Sequence, residues 1–214
     1  MAPEPPHFDR TFQDKLRSLF AWRRDVRRFR TDPLPEGALE ALLDALRWAP
    51  SVGLSQPGRF VIVADPARRQ AIVEMFKTCN AEALAAYTGD TATHYARLKL
   101  AGLEEAPCHL AVFADRDTPQ GRDLGRRTMP EMAEYSTVTA IHTLWLLSRA
   151  EGIGMGWISI LYPSRIARLL DVPDSWHFIG YFCLGFPLAE SETPELEREA
   201  WDTRRPSGEF VLWR

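Results

Sequence analysis

Residues 130–159 read PEMAEYSTVTAIHTLWLLSRAEGIGMGWIS, and the change of pattern inside that stretch decides the fold. Val138, Ile141, Leu144, Trp145 and Ser148 recur at helix-compatible spacing, and Gly152 supplies a stop. A central helix over 130–151 follows. Gly152, Gly154 and Gly156 then precede the strand-like run 155–161. Their spacing is not GxGxxG and no βαβ unit with an acidic residue follows, so the dinucleotide fingerprint is excluded. Two readings of the glycines stay open: a tight helix-to-strand turn, or a backbone that lets a flat ligand come close with the Ser159 hydroxyl near it.

Upstream, 108–114 is an apolar strand ending at Asp115, and the charged, glycine-containing stretch 116–128 reads as a mobile loop or lid. Downstream come a short helix over 163–170 and a strand over 178–184. Nearer the start, Phe12, Leu16, Leu19 and Phe20 mark a helix to Trp22, and Leu39, Leu42, Leu43 and Leu46 mark a second that closes at Ala49-Pro50. Residues 60–64 read as a buried strand, and 66–87 as a long helix with Pro66 in its first turn. A polar linker at Gly89 and Asp90 and a helix over 94–103 complete the pattern. Long helices and strands that do not alternate as βαβ units predict an α+β layered fold. One domain over 1–214 is expected, with a flexible stretch 1–11 and a C-terminal arm, 190–214. The arm's Trp201 and Trp213, exposed on a monomer, suggest packing on a partner subunit.

Composition narrows the class. The 214 residues are 45% apolar and 26% charged, the balance of an ordinary globular protein. A formal net charge of -3 argues against general affinity for nucleic acid. Cys79, Cys108 and Cys183 have no CxxC spacing and read as buried thiols in a reducing compartment. The five histidines show neither HxxxH nor HExxH spacing, so no metal site is expected. No stretch approaches the length of a membrane span or a signal peptide, and the cytoplasm is the expected location.

Arg23-Arg24-Asp25-Val26-Arg27-Arg28 is the densest charge cluster. Four guanidiniums within six positions repel one another unless an anion lies among them, and the planar fork of arginine suits phosphate. A solvated helix terminus explains the cluster equally well. Asp25 either screens these arginines or, beside a bound ligand, takes and returns a proton, provided burial opposes the depressing effect of its neighbours. The loop 49–57, Ala-Pro-Ser-Val-Gly-Leu-Ser-Gln-Pro, is stiff and rich in donors.

Taken in order, Arg23-Arg24-x-x-Arg27, Ala49-Pro50-Ser51 with Gln56-Pro57, and Gly154-x-Gly156-Trp157 resemble the nitroreductase-like flavoprotein superfamily from about Trp22 to Gly185. Within it, Arg23–Arg27, 49–53, Tyr135-Ser136-Thr137-Val138, Leu144-Trp145-Leu146, Gly156-Trp157-Ile158-Ser159 and Cys183-Leu184-Gly185-Phe186 are similar to the 5,6-dimethylbenzimidazole synthase family. That resemblance implies a mostly antiparallel sheet flanked by helices and a homodimer with the site at the subunit interface. It implies an oxidoreductase that takes reduced FMN as substrate and O2 as co-substrate, with a separate flavin reductase supplying the FMNH2, for the lower ligand of cobalamin. It places catalytic roles on Asp25 and Ser159. FMN contacts are implied for Arg23, Arg24, Asp25, Val26 and Arg27, for Pro50 and Ser51, and for Lys99, Leu100, Ile158, Ser159 and Arg205. An NAD(P)H-dependent nitroreductase or quinone reductase and a flavin-binding module without turnover are the alternatives. Gly58, after Gln56-Pro57, departs from the resemblance, which leads one to expect a bulkier aromatic there.

Overall fold

The computed structural model describes residues 4–214. Its centre is a four-stranded sheet of β1 (Gly58–Ile62), β2 (Cys108–Asp115), β3 (Gly154–Ile158) and β4 (Trp176–Gly185), in the order β1-β2-β4-β3. Every pairing is antiparallel, with Leu110 opposite Phe182 and Met155 opposite Leu184. Both inner strands are continuous apolar runs because the sheet is covered on both faces. Leu110, Val112, Phe182 and Leu184 pack in one cluster with Leu42, Ile141 and Leu144, whereas Ala111, Phe113, Tyr181 and Cys183 pack in the other with Ile72 and Ile166. The period of two along each strand sends alternate side chains to opposite layers.

The first layer is carried by α2 (Ala38–Asp44) and α5 (Met132–Ala150), the second by α3 (Pro66–Ala85) and α6 (Pro163–Leu170). Prolines open α3 and α6, where a missing N–H costs nothing. At the end of α5, Gly152 takes a φ of +75°, and Ile153 N–H donates to the Ser148 carbonyl at 2.8 Å, which turns the chain directly into β3. The α+β expectation and the central helix are thereby met.

Several local expectations are corrected. The strand expected to be buried over 60–64 begins at Gly58, and as the sheet's edge it is only half-buried, with Ile62 exposed. Gly89 and Asp90 are not a linker; they open α4 (Gly89–Tyr95). The helix expected over 94–103 stops at Tyr95 in a turn, and residues 98–102 run irregularly. The reason lies at Gly102, where an added Cβ would meet the Phe29 ring at 2.5 Å: the chain is pressed against a buried side chain and cannot keep a helix's girth. The stretch 116–128 is a series of turns tied together by Arg126, whose guanidinium donates to the carbonyls of Arg116 and Thr118 and to Asp123 Oδ1. The flexible stretch expected over 1–11 lies outside the described residues at 1–3. Its far end is ordered, because Asp9 caps α1 (Arg10–Trp22) by accepting from Phe12 N–H at 2.8 Å.

The C-terminal arm is fastened to its own chain. After the one-turn helix α7 (Glu195–Arg198), Trp201 packs edge-on against Tyr87, His94 and Tyr95. Of the two tryptophans expected to be exposed, only Trp213 is, at 92%. All three cysteines are free and buried.

Leu144 is 1% exposed between α5 and the sheet. Leu144→Ala is expected to lower the unfolding free energy by about 2–5 kcal/mol, read from urea denaturation by linear extrapolation. A loss well under 1 kcal/mol would show that α5 does not seat on the sheet in this way.

Candidate active site

Beyond α1, residues 23–28 run extended along the free edge of β3. Val26 N–H donates to the Met155 carbonyl at 3.0 Å, and Asp25 bridges Met155 in parallel register. The approach is so close that only glycine fits opposite it. A Cβ on Gly156 would lie 2.1 Å from the Val26 carbonyl oxygen, and one on Gly154 would lie 2.8 Å from the Val26 side chain. The helix-to-strand turn is found at Gly152, whereas at Gly154 and Gly156 what approaches the backbone is the chain's own arginine-rich segment.

That contact sets Asp25. Its Oδ1 accepts from the Trp157 backbone N–H at 2.8 Å and its Oδ2 from Arg27 Nε at 2.9 Å. The carboxyl keeps 31% side-chain exposure at the floor of a cleft, yet protein surrounds it on most sides. Desolvation therefore raises its pKa from the ordinary value, and the Trp157 N–H and the Arg27 and Arg23 charges only partly offset that rise. Burial does oppose the neighbouring cations here, which is the condition for a carboxylate that can exchange protons.

The four guanidiniums have separate partners. Arg27 is held by Asp25 and by the Lys99 carbonyl at 3.1 Å, and Arg28 pairs with Glu195. Arg23 lies over the Trp145 ring, 4.7 Å from its centroid, and Trp145 Nε1–H donates to the Arg24 carbonyl at 3.1 Å. Arg24 Nε donates to the Ser191 carbonyl, while its Nη2 is buried without a partner. Arg23 and Arg24 form no salt bridge among the described residues, and burial and the charge of Arg204 push both pKa values down. Two half-buried cations without a salt-bridge partner are the chemical complement of an anion such as phosphate.

The remaining candidates divide into two groups. Val26, Leu100 and Ile158 line a narrow crevice with Asp25 and Arg27; Lys99 joins through its carbonyl. Ser159 follows directly on β3, exposed, two residues past the N–H that holds Asp25. Arg205 is exposed and forms no side-chain hydrogen bond or salt bridge among the described residues; it is Arg204 whose charge reaches Arg23 and Arg24. Residues 188–199 wall a cavity of about 260 Å³ whose other side is Arg24–Arg28.

Pro50 and Ser51 stand apart from this group. The Pro50 carbonyl accepts from Thr139 Oγ1 at 2.7 Å, and Ser51 Oγ accepts from Gln56 N–H at 3.1 Å. Pro50 lines a separate cavity of about 330 Å³ with Leu43, Leu46, Gly58, Phe60 and Ala140, which shares no residue with the Asp25 cleft. Gly58 is explained there: the Phe60 ring edge stands 3.0 Å from where its Cβ would be, so the aromatic two positions on occupies the space.

These features match a known architecture. The nitroreductase family model matches residues 20–186. The chain belongs to the nitroreductase family. Two relatives extend the match: a 5,6-dimethylbenzimidazole synthase of Rhodospirillum rubrum is 54% identical, covering 94% of this chain and 95% of the relative. A protein of the same name from Rhodobacter capsulatus is 43% identical, covering 94% and 97%. Among solved structures, iodotyrosine deiodinase bound to FMN and 3-iodo-L-tyrosine superposes with a TM-score of 0.72 at 22% identity, covering 93% of this chain and 97% of that one. That likeness bears on the fold alone.

Sequence reasoning missed Trp145 as the anchor of the arginine segment, because in the helix pattern it looks like one more core residue. It also missed Ser191 and Glu195, whose polar context carries no signal at all. Gly156→Ala puts backbone against backbone and is expected to cost more than about 2 kcal/mol, whereas Gly58→Ala meets only a ring edge that can rotate and is expected to cost under about 1 kcal/mol. Thermal unfolding of the two variants side by side checks this; equal losses would mean that the segment does not press on β3.

Proposed function

We propose that this protein fragments reduced FMN with O2 to 5,6-dimethylbenzimidazole and D-erythrose 4-phosphate, the base serving as the lower ligand of cobalamin. The observation that carries this reading is identity of 54% and 43%, over 94% of the chain, to relatives bearing that synthase name. The site agrees with it chemically. Arg23 and Arg24, half-buried and without a salt-bridge partner among the described residues, fit the phosphate end of the flavin, and the unpartnered Nη2 of Arg24 is a donor awaiting an acceptor.

When bound, the reduced isoalloxazine supplies the electrons for oxygen. Asp25 is the residue to which we assign proton transfer: its Oδ2 faces Arg27 and its pKa is raised by burial, so it can both accept and return a proton. Ser159, one residue past β3 on the same edge, is assigned the positioning of a reacting atom. The Lys99-Leu100 backbone borders the crevice beside Asp25 and is assigned to the polar edge of the ring.

The site is completed, on this reading, by a second copy of the chain. Pro50 lines a different cavity from Asp25, with Ser51 next to it in the chain, so one chain presents two partial sites. Phe12, Leu16 and Phe20 of α1, together with Tyr135 and Val138 of α5, are exposed and apolar, as a homodimer interface requires. Arg205 would then act across that interface. A separate flavin reductase is the source of the FMNH2, and the three free thiols suit the cytoplasm.

Mixing the protein, chemically reduced FMN and air, followed by mass spectrometry, is expected to show benzimidazole and loss of the flavin. Intact FMN returned with stoichiometric NAD(P)H oxidation would replace this reading with that of a reductase. Asp25→Asn and Ser159→Ala are each expected to lower the single-turnover yield by about 100-fold or more. Because ionised Asp25 is the base and its pKa is raised, the rate should fall as pH drops through a value above 3.8, and that acid limb should be missing in Asp25→Asn.

A further inference from the structure

His109 and Tyr181 are fully buried, polar and apart from the chemistry assigned above. Their rings lie edge-on, with His109 Nδ1 2.9 Å from the Tyr181 hydroxyl and His109 Nε2 3.2 Å from the Ala106 carbonyl oxygen. A carbonyl oxygen only accepts, so Nε2 carries the hydrogen, Nδ1 is the acceptor and the Tyr181 hydroxyl donates. Burial, reinforced by the nearby charge of Arg69, lowers the His109 pKa to about 4 and keeps the ring neutral in this arrangement. Both residues sit on the inner strands and face the same layer as Cys183.

What they hold is the irregular run that leads into β2. That run is pinned at its far end by His109 on Ala106 and by Arg69, whose Nη1 donates to the Pro107 carbonyl at 3.2 Å. At its near end the Lys99 carbonyl accepts from Arg27 Nη1, and Arg27 in turn holds Asp25. Between the two ends, Leu100, Ala101 and Gly102 border the crevice beside Asp25. We propose that the Tyr181–His109 pair is a positioning device: by fixing Ala106 it sets the height of the 99–106 run, and through the Lys99 carbonyl it sets the Arg27 guanidinium that orients Asp25. Neither residue touches the ligand. This assignment rests on the proposed role of Asp25.

Tyr181→Phe removes one hydroxyl and keeps the ring. In the ligand-free protein, amide hydrogen exchange over 99–106 is expected to rise about tenfold in this variant, while β2 and α5 keep wild-type protection. With reduced FMN and O2, kcat for the benzimidazole is expected to fall about three- to tenfold, with KM changed less than about twofold. His109→Gln, whose amide can still donate to Ala106, should retain more of both properties than His109→Leu. Wild-type exchange over 99–106 in Tyr181→Phe would overturn the proposal, as would protection lost equally throughout the sheet. Failure of the wild-type protein to form the benzimidazole would instead count against the functional reading, and the ligand-free exchange would still decide the positioning role.

Discussion

The close approach of Val26 to Gly154 and Gly156 is the contact from which the site is built. It adds the 23–28 segment to the open edge of β3, which satisfies part of that edge's backbone and covers it against strand pairing with other chains. It also aligns Asp25 with the Trp157 N–H, so a carboxylate at the end of a flexible helix exit acquires a fixed hydrogen-bond donor from the sheet. A side chain on either glycine would push the segment outward, and the donor and the acceptor would part.

Once the segment is fixed, charge is distributed unevenly along it. Arg27 and Arg28 are matched by Asp25 and Glu195, whereas Arg23 and Arg24 lie half-buried beside Trp145 and Ser191 with no salt bridge among the described residues. Part-burial and the Arg204 charge lower both of their pKa values, so on the proposed reading a phosphate there would relieve that repulsion. Asp25 shows the opposite balance. It is paired, yet desolvation outweighs the pairing and raises its pKa, because the cleft removes more solvent from the carboxylate than one ion pair and one N–H replace. On the proposed reading, binding and proton transfer fall to neighbouring residues of one short stretch through differences in their surroundings.

Much of the architecture was legible in the residues, and the limits have physical causes. The helix over 130–151, the strands over 108–114 and 178–184, and the stop at Gly152 could be read because a helix packed on a sheet shows its period and strands buried on both faces show continuous apolar runs. Residues 96–102 misled because their helical pattern is local, while their path is dictated by Phe29 and Arg27, far away in sequence. The glycines of β3 were seen as a place of close approach, but a sequence cannot say what approaches. Trp201 was expected to pack on a partner subunit because nothing near it in sequence looks like a core; its aromatic neighbours come from α4 and the turn before it. Asp25 drew notice inside the arginine cluster and Ser159 beside the glycines, with the resemblance adding their catalytic roles, whereas His109 and Tyr181 carry no local pattern that distinguishes them from ordinary strand residues.

The separation of Pro50 and Ser51 from the Asp25 cleft has a cause in the geometry of α5. The loop is tied to the N-terminal half of that helix, through Thr139 and Ser136, and the arginine segment to its C-terminal half, through Trp145. Six residues from Thr139 to Trp145 are about 9 Å of helix, a length no side chain in either group spans. The Ser136 and Trp145 ties are half-buried hydrogen bonds, so neither group slides toward the other without leaving a polar atom unpaired. A ligand that needs both groups must therefore meet them on different chains or be long enough to bridge one. Phe12, Leu16 and Phe20, recurring every four residues along α1 and left in water by a single chain, favour the first solution, since their burial against another copy is a driving force that bridging lacks.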